Sequence, residues 1–383
     1  MNVLNFKWRL EGLQEKMLKA DIDLVVYGSC QNFQYLTGLL VNWRRWVDLG
    51  CSANNVFVPR KGEPILTLDE DSSEQARKSW IKDCRISGKK EDYGDTLRKV
   101  ISDLDLKGCN VGLGNHVWGS TITQIGELLK NPRFLRADGL MDDLRMIKDG
   151  EEIGRLRKAA MLTDQVMEKV VPKIKEGVTQ RELELEVEFE SRLLGASDVS
   201  FPPTAGFVKS GSEISQNPFT YPKEKGLVSG TSIAFDIGFV VNGYCSDFGR
   251  SFYFGSASVD VKKAYEALQQ SVVETVEKMR DGRMRACEAF PELEKTLDRL
   301  KYGDYIRARL PTKNLGHNIG VEVHETPWLS PEYEEILRKD MVMAIEPKLW
   351  HAGQYYLRVE DIVLIGPKKA EFLTNFDRDL FQL

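Results

Sequence analysis

The sequence is poor in several residue types that often mark a function. Only four of its 383 residues are histidines, and its six cysteines are scattered without a Cys-x-x-Cys pair, which argues against a zinc ribbon or a disulfide framework. No apolar run approaches the roughly 20 residues of a membrane span, and the first 26 residues lack the apolar segment of a signal peptide. The formal net charge of −5 gives no reason to expect nucleic acid or a membrane as partner. We therefore expect a cytoplasmic protein.

The pattern of apolar residues predicts two domains. Residues 1–140 alternate helix-like and strand-like stretches, which is typical of an α/β domain. Residues 151–383 begin with two or three long helices and continue with strands and interleaved helices, which predicts an α+β arrangement. The second of these helices has an N-terminal capping box formed by Thr179 and Glu182.

Four acidic residues interrupt apolar, strand-like segments of the second domain: Asp236, Asp247, Glu346 and Glu360. A buried ionised carboxylate without partners costs several kcal/mol or more, and any one of these acids alone would more often be a salt-bridged structural residue. The Asn242-Gly243 turn could bring the first two acids to one end of a hairpin. If all four converge, a pair of divalent cations is the natural compensation for their repulsion.

Two of the four histidines, His317 and His324, are seven residues apart in "GHNIGVEVHETP". This spacing suits neither a helix face nor one face of a strand, so the chain bends between them or the two side chains have different functions. We expect His317 to be the single nitrogen ligand of an oxygen-rich site. Such a ligand set suits Mn, Co, Fe or Zn at a catalytic centre better than a structural zinc.

The segments that carry these residues resemble a known family. "FDIGFVVNGYCSDFGRSF", "GHNIGVEVHETP", "MAIEPKLW" and "LRVEDIVLI" are similar to the motifs of the pita-bread metallohydrolases, which include methionine aminopeptidase, Xaa-Pro aminopeptidase, prolidase and creatinase. "LQEKMLKADIDLVVYGSCQNFQYLTG" resembles the N-terminal domain of prolidase and creatinase. The resemblance implies an α/β N-terminal domain plus an α+β C-terminal pita-bread (creatinase/aminopeptidase) domain.

By this resemblance, five residues would hold two divalent metal ions: Asp236, Asp247, His317, Glu346 and Glu360. Asp247 and Glu360 would bridge the ions, and a water or hydroxide between them would be the nucleophile. Glu346 would be the general base. His324 would not be a ligand but would face the substrate and help to polarise the scissile carbonyl. Arg358 would orient the carboxylate ligands.

One departure from the family pattern concerns a further histidine. Proline-specific relatives carry it about seventeen positions before the first aspartate, whereas "KSGSEISQNPFTYPKEKG" has none. An ungapped count places Phe219 there, with Asn217 close by. Loss of one oxyanion or proton-handling group typically costs two to three orders of magnitude in rate. Either Asn217 or a water substitutes, or the reaction is not peptide hydrolysis.

A second candidate for substrate binding is "NWRRW", which contains Arg44, Arg45 and Trp46. By the resemblance, this segment lies where the N-terminal domain lends residues to the active site of a dimer partner. Its arginines could clamp a carboxylate, and its tryptophans could stack on a planar or cationic substrate. The alternative is an exposed loop whose aromatic residues pack on the domain surface.

The leading expectation is a dinuclear metal-dependent hydrolase of the Xaa-Pro dipeptidase or aminopeptidase type. Its substrate would be a dipeptide or another small molecule with a free carboxylate, and it would act as a homodimer. The alternative is a non-peptidase relative: a creatinase- or ectoine-hydrolase-type C–N hydrolase, or a lyase of the type that cleaves dimethylsulfoniopropionate. The absent histidine favours this alternative. A degenerate binding module is disfavoured because the ligand set is complete.

Overall fold

A computed structural model describes residues 3–41, 53–88, 93–106, 108–211, 217–379 and 381–383. The chain divides into two compact units, Met1–Arg145 and Met146–Leu383. None of the helices in the described ranges is both long enough and apolar enough to cross a bilayer.

The first unit is built around a mixed sheet. Its strands are β1 (Leu24–Gly28), β2 (Asn55–Pro59), β3 (Ile65–Asp69), β4 (Asp83–Ser87), β5 (Asn110–Leu113) and β6 (Arg133–Arg136), in the order β4-β3-β2-β1-β5-β6. Its helices are α1 (Val3–Lys19), α2 (Gln31–Thr37), α3 (Tyr93–Asp103) and α4 (Gly119–Leu128). A short helix α5 (Asp142–Met146) ends at the boundary between the units. Helices α3 and α4 bury Leu97 and Ile125 against Leu24 and Val26 of β1.

The second unit begins with two long helices, α6 (Gly150–Val170) and α7 (Gln180–Leu193). The predicted box of Thr179 and Glu182 caps α7: the Glu182 amide donates to Thr179 Oγ1, and Glu182 Oε2 accepts from the Thr179 amide. The remaining helices are α8 (Val259–Lys278), α9 (Ala289–Arg299) and α10 (Gly303–Arg309).

Within the described residues, the strands of the second unit form four sheets. They are β7 (Asp198–Val199), β8 (Thr204–Lys209), β9 (Thr231–Ile237), β10 (Phe239–Val241), β11 (Tyr244–Cys245), β12 (Phe248–Phe254), β13 (Gly316–Asn318), β14 (Glu325–Trp328), β15 (Val342–Ile345), β16 (Lys348–His351), β17 (Tyr355–Arg358), β18 (Asp361–Leu364), β19 (Glu371–Phe372) and β20 (Phe381–Gln382). The two largest sheets have the orders β20-β12-β9-β8 and β14-β13-β15-β18-β19. The hairpin of β16 and β17 forms a separate ladder. The predicted α/β plus α+β class is confirmed.

Strand alternation gives β8 and β9 two different faces. Phe207, Ile233 and Phe235 pack into an apolar core with α6 and α7. The intervening residues point to the opposite face because successive side chains of a strand alternate. That face carries Asp236 together with Gly206 and its cross-strand partner Ala234, and we call it the site face. One face of this sheet therefore packs in the apolar core and stabilises the fold, and the opposite face carries Asp236 of the candidate site.

Two of the predicted strands are interrupted at their acidic residue. The segment "MVMAIEPKLW" separates into β15 and β16, with Glu346 and Pro347 between them. The segment "LRVEDIVLI" separates into β17 and β18, with Glu360 in an isolated bridge to Gly249. Proline lacks the amide hydrogen that a central ladder requires, which accounts for the first break.

Candidate metal centre

The two aspartates of the candidate site meet on the antiparallel pair β9–β12. Gly249 pairs with Asp236, so Asp247, two residues before Gly249, lies at the same end of the ladder. The connection contains the predicted turn, with Asn242 and Gly243 both in the left-handed region at φ 51° and 82°. Carboxylate oxygens of Asp236, Asp247 and Glu360 lie within 4.8 Å of one another.

His317 approaches this cluster from β13. Its side chain is fully buried, its Nε2 lies 3.3 Å from Asp247 Oδ2, and its Nδ1 lies 3.1 Å from the Asn318 carbonyl oxygen. The carbonyl fixes Nδ1 as the protonated nitrogen, so Nε2 presents a lone pair to the acids. The sequence expectation that His317 supplies nitrogen to an oxygen-rich cluster agrees with this geometry.

The donor atoms of the cluster fit a divalent cation. His317 Nε2, Asp247 Oδ1 and Glu360 Oε1 are buried without a hydrogen-bond partner. Unsatisfied buried polar atoms are costly, and bound metal ions would satisfy such atoms in the two donor groups that share Asp247. Several carboxylates with one imidazole form a ligand set for a catalytic divalent ion rather than for a structural zinc.

The protonation behaviour of these residues supports the same interpretation. Burial, followed by the charges of neighbouring acids, raises the pKa of Asp247 well above its usual range. Burial likewise raises the pKa of Glu360 well above its usual range, although Arg358 opposes the shift. Burial lowers the pKa of His317 and keeps the imidazole neutral, the form that binds metal. A bound cation would relieve the cost of ionising both carboxyl groups.

Arg358 connects three of the acidic residues. Its guanidinium forms ion pairs with Asp236, Glu346 and Glu360, with Nη2 3.1 Å from Glu346 Oε2. This approach requires Gly249, because a Cβ there would lie 2.5 Å from Arg358 Nε. Arg358 thus contacts the carboxylates that it was predicted to orient.

Lys348 is a second cation at the site, and the sequence interpretation missed it. Its ammonium contacts Glu346 Oε2, and both side chains are largely buried, at 12% and 15% exposure. Burial alone would raise the pKa of Glu346, but Lys348 and Arg358 outweigh it and lower that pKa to about 2. The signal available in the sequence was a second charge, two residues after Glu346, in the otherwise apolar run "MVMAIEPKLW".

His324 lies close to His317 because the chain bends between β13 and β14. The ring centroids are 4.5 Å apart, and the exposed His324 ring stacks on Trp328 at 5.1 Å. Partial burial, followed by proximity to His317, lowers the pKa of His324 to about 4. Donor atoms of Asp247, His317 and His324 also lie within 4.8 Å of one another, so the ring is within reach of an ion at this point.

A buried ion pair fixes the loop that carries His324. Lys148 Nζ lies 3.2 Å from Glu325 Oε2, both side chains are 1% exposed, and Lys148 also donates to Asn318 Oδ1. The side-chain Nδ2 of Asn318 in turn donates to the Thr326 carbonyl at 2.9 Å. These contacts hold the residues on both sides of the bend, and sequence analysis did not identify them.

The other predicted substrate-binding residues differ in their placement. Phe219 is half exposed and packs edge-on against Tyr356, with ring centroids 5.3 Å apart. Asn217 is exposed, and its Oδ1 accepts a hydrogen bond from the Phe219 amide at 2.9 Å. Arg44, Arg45 and Trp46 lie outside the described residues.

Comparisons with known proteins agree with this geometry. The model for metallopeptidase family M24 matches residues 154–367, and that for the creatinase/prolidase N-terminal domain matches residues 9–147. A Xaa-Pro dipeptidase from Pyrococcus furiosus is 26% identical over 374 residues, which cover 98% of this chain and 99% of that protein.

Solved structures of similar proteins confirm the predicted pita-bread architecture. A dipeptidase from Pyrococcus horikoshii OT3 has a TM-score of 0.84 and 25% identity, covering 98% of this chain and 100% of that one. A prolidase from Thermococcus sibiricus has a TM-score of 0.82 and 26% identity, covering 100% of both chains. With the converging carboxylates, these similarities identify a hydrolase, and the chain belongs to metallopeptidase family M24.

Proposed function

We propose that this enzyme is a dipeptidase that hydrolyses Xaa-Pro dipeptides with two divalent metal ions, drawn from Mn, Co, Fe and Zn. The observation that carries the proposal is the convergence of Asp236, Asp247 and Glu360 within 4.8 Å, beside the unsatisfied Nε2 of His317. The Xaa-Pro dipeptidase of Pyrococcus furiosus, which aligns with nearly the whole chain, supports the substrate class.

In this proposal, five residues would hold the ions: Asp236, Asp247, His317, Glu346 and Glu360. The ions, when bound, supply Lewis-acid polarisation and lower the pKa of a water. Glu346 accepts the proton of the attacking water. A carboxylate with a pKa of about 2 is a weak base, so this function requires Lys348 to release Glu346 in the working enzyme.

His324 is proposed to bind the substrate carbonyl as a neutral group. With its pKa lowered to about 4, its imidazole is uncharged near pH 7 and acts through a hydrogen bond. Stacking on Trp328 restricts the orientation of the ring, and the pair formed by Lys148 and Glu325 holds the loop. A positioned donor at a developing oxyanion contributes about two to three orders of magnitude in rate.

A second candidate is a non-peptidase C–N hydrolase or a lyase acting on a compact carboxylate. The observation that favours it is Phe219, an apolar ring at the position where proline-specific relatives carry histidine. Phenylalanine neither donates a hydrogen bond nor carries a proton. Under this alternative, the metal ligands are kept and the substrate differs.

Substrate panels separate the two candidates. Protein reconstituted with Mn, Co or Zn is assayed against Xaa-Pro dipeptides and, in parallel, against betaines, dimethylsulfoniopropionate and guanidino acids. Turnover of Xaa-Pro dipeptides is expected, and its absence with all three metals would overturn the dipeptidase proposal. Phe219→His tests the departure directly, because increased peptidase activity would show that Phe219 limits peptide hydrolysis.

We also propose that the enzyme is a cytoplasmic homodimer in which Arg44, Arg45 and Trp46 reach the partner's site. The cysteines of the described ranges are free thiols, as is usual in a reducing compartment. Light scattering on purified protein tests the dimer, for which a mass near 87 kDa is expected from the 43.6 kDa chain. A monomer at micromolar concentration would contradict it.

A further inference from the structure

Aromatic residues continue the site face beside the carboxylates. Gly206 pairs with Ala234, two residues from Asp236 on β9, so all three share that face. Phe219 covers this glycine: a Cβ on Gly206 would lie 2.9 Å from Phe219 Cε1. The ring of Phe219 therefore lies about two residues further along the strand direction than Asp236, a distance of about 7 Å.

The hairpin of β16 and β17 contributes two more rings. Tyr356 precedes Arg358 by two residues and shares its face, and Tyr356 is paired with Trp350. Tyr356 and Trp350 pack on Val208 and Ala234 of the sheet below. We call Phe219, Tyr356 and Trp350 the aromatic platform. It extends along the site face from the carboxylate cluster.

Arg309, at the end of α10, lies over this platform. Its guanidinium carbon is 5.9 Å from the centroid of Phe219 and 5.5 Å from that of Tyr356. The side chain is partly buried, and its Nε is buried without a hydrogen-bond partner. Contact with the ring faces holds a guanidinium in place while its in-plane N–H donors stay available.

The neighbouring cations differ from Arg309 in having acidic partners. Arg307, two residues earlier on α10, is paired with Glu294, Asp298 and Asp304. Lys348 and Arg358 contact the acids of the metal centre. Within the described ranges, no carboxylate forms an ion pair with Arg309. The two rings hold the Arg309 guanidinium in place, and its Nε has no hydrogen-bond partner among the described residues. Such a group can bind an anionic part of a substrate.

We propose that Arg309 binds the C-terminal carboxylate of the substrate while the aromatic platform contacts the apolar side chain of the same residue. This inference rests on the proposed dipeptidase function. One residue of extended peptide spans about 3.3–3.6 Å, and a hydrogen bond to its carboxylate adds about 3 Å. A platform that begins about 7 Å from Asp236 therefore suits a single residue after the scissile bond. Arg309 thereby selects dipeptides with a free carboxylate over longer or amidated peptides.

The test compares Ala-Pro with its C-terminal amide in metal-loaded enzyme. For Arg309→Met, we expect the KM for Ala-Pro to rise about 10- to 100-fold, because a charge-assisted bidentate contact is lost. The kcat is expected to stay within about threefold, and the parameters for the amide to change little. Arg309→Lys keeps the charge without the planar fork and should recover part of the loss.

Arg307→Met is the matched control, because it removes the same group from the same helix without touching the platform. It should leave the preference for the free acid intact. If wild-type enzyme cleaves Ala-Pro but Arg309→Met keeps that preference, the Arg309 site is wrong and the dipeptidase proposal stands. If wild-type enzyme cleaves neither peptide, the dipeptidase proposal fails, and this inference fails with it. Unchanged metal content and melting temperature show that the variants are folded.

Discussion

The ammonium of Lys348 forms an ion pair with the carboxylate of Glu346, a residue that the family resemblance assigns to metal binding. The two side chains lie two residues apart, on either side of Pro347, at the break between β15 and β16. A cation bound to Glu346 competes with a metal ion for the same oxygen atoms. If Glu346 is a metal ligand, as proposed, we expect Lys348 to lower the affinity of the centre for metal without being a ligand itself.

Replacing Lys348 should tighten metal binding. For Lys348→Met, we expect the dissociation constant for Mn²⁺ to fall by about tenfold or more, because a competing, mostly buried ammonium is removed. Isothermal titration of metal-free protein measures this change without any assay of activity. The control is Lys339→Met, which removes an exposed ammonium paired with Asp340. Equal or weaker Mn²⁺ binding by Lys348→Met would refute the competition.

Glu346→Gln should abolish turnover and preserve the fold. The substitution removes the proposed proton acceptor, and general-base catalysis contributes about 10²- to 10⁴-fold to the rate. The kcat measured on an Xaa-Pro dipeptide should fall by that factor, while an unchanged far-UV circular dichroism spectrum shows that the fold is intact. Glu332→Gln alters an exposed glutamate and should have no effect. Activity near that of wild type would mean that Glu346 is not the base.

Asp361→Asn should destabilise the second unit. Asp361 and Arg250 are both fully buried with Nη2 2.6 Å from Oδ1, and Arg250 also donates to the Glu360 carbonyl. Removing one partner of a buried pair costs about 3–5 kcal/mol, since the remaining charge is uncompensated. Hydrogen exchange of β18 amides, measured in increasing urea, reports this loss.

The control for that experiment is Asp340→Asn, which breaks an exposed pair with Lys339. An exposed pair is worth about 0–1 kcal/mol, so a small change is expected. Similar losses in the two variants would show that burial does not govern the stabilisation by Asp361.

Asp164 should make stability depend on pH in a defined window. Its carboxylate accepts the amides of Asn375 and Phe376, but burial dominates and raises its pKa from 3.8 to about 6. Between these two values, the folded chain binds the proton more tightly than the unfolded chain does. The contribution of Asp164 to stability is therefore fully present below pH 3.8 and is lost as pH rises to about 6, by about 3 kcal/mol.

The measurement is the difference in unfolding free energy between Asp164→Asn and wild type at pH 4, 5.5 and 7. Loss of a hydrogen bond in the variant shifts this difference equally at every pH. The dependence of the difference on pH therefore reports only the ionisation of Asp164. We expect the variant to gain relative stability from pH 4 to pH 7. A difference that is constant across the range would show that the pKa of Asp164 is not raised.

Local patterns predicted much of the fold and the acidic part of the site. The strand around Asp236, the Asn242-Gly243 turn and the capping box of Thr179 are short-range features, and the structure contains all three. Asp236 and Asp247 were brought together in the prediction by the turn between them. Their convergence with Glu360 followed from the cost of burying acids and from the family resemblance.

Residues that depend on long-range packing were not predictable in the same way. Phe219 meets Tyr356 only because β8 and β9 lie beneath the hairpin of β16 and β17, 137 positions later in the chain. The sequence could not distinguish Arg309 from Arg307, two residues earlier, because the two side chains are identical. They differ only in their tertiary contacts, with Asp298 for Arg307 and Phe219 for Arg309. Chemistry that arises from tertiary contacts requires coordinates.

The two faces of β9 also have an evolutionary consequence. Ile233 and Phe235 are held in place by the core, so substitutions there are filtered by folding. Ala234 and Asp236 alternate with them: Ala234 lies under Tyr356 and Trp350, and Asp236 lies in the carboxylate cluster. Neighbouring residues of a single strand are therefore under different selection: Ile233 and Phe235 answer to folding, and Asp236 to the chemistry proposed for the site.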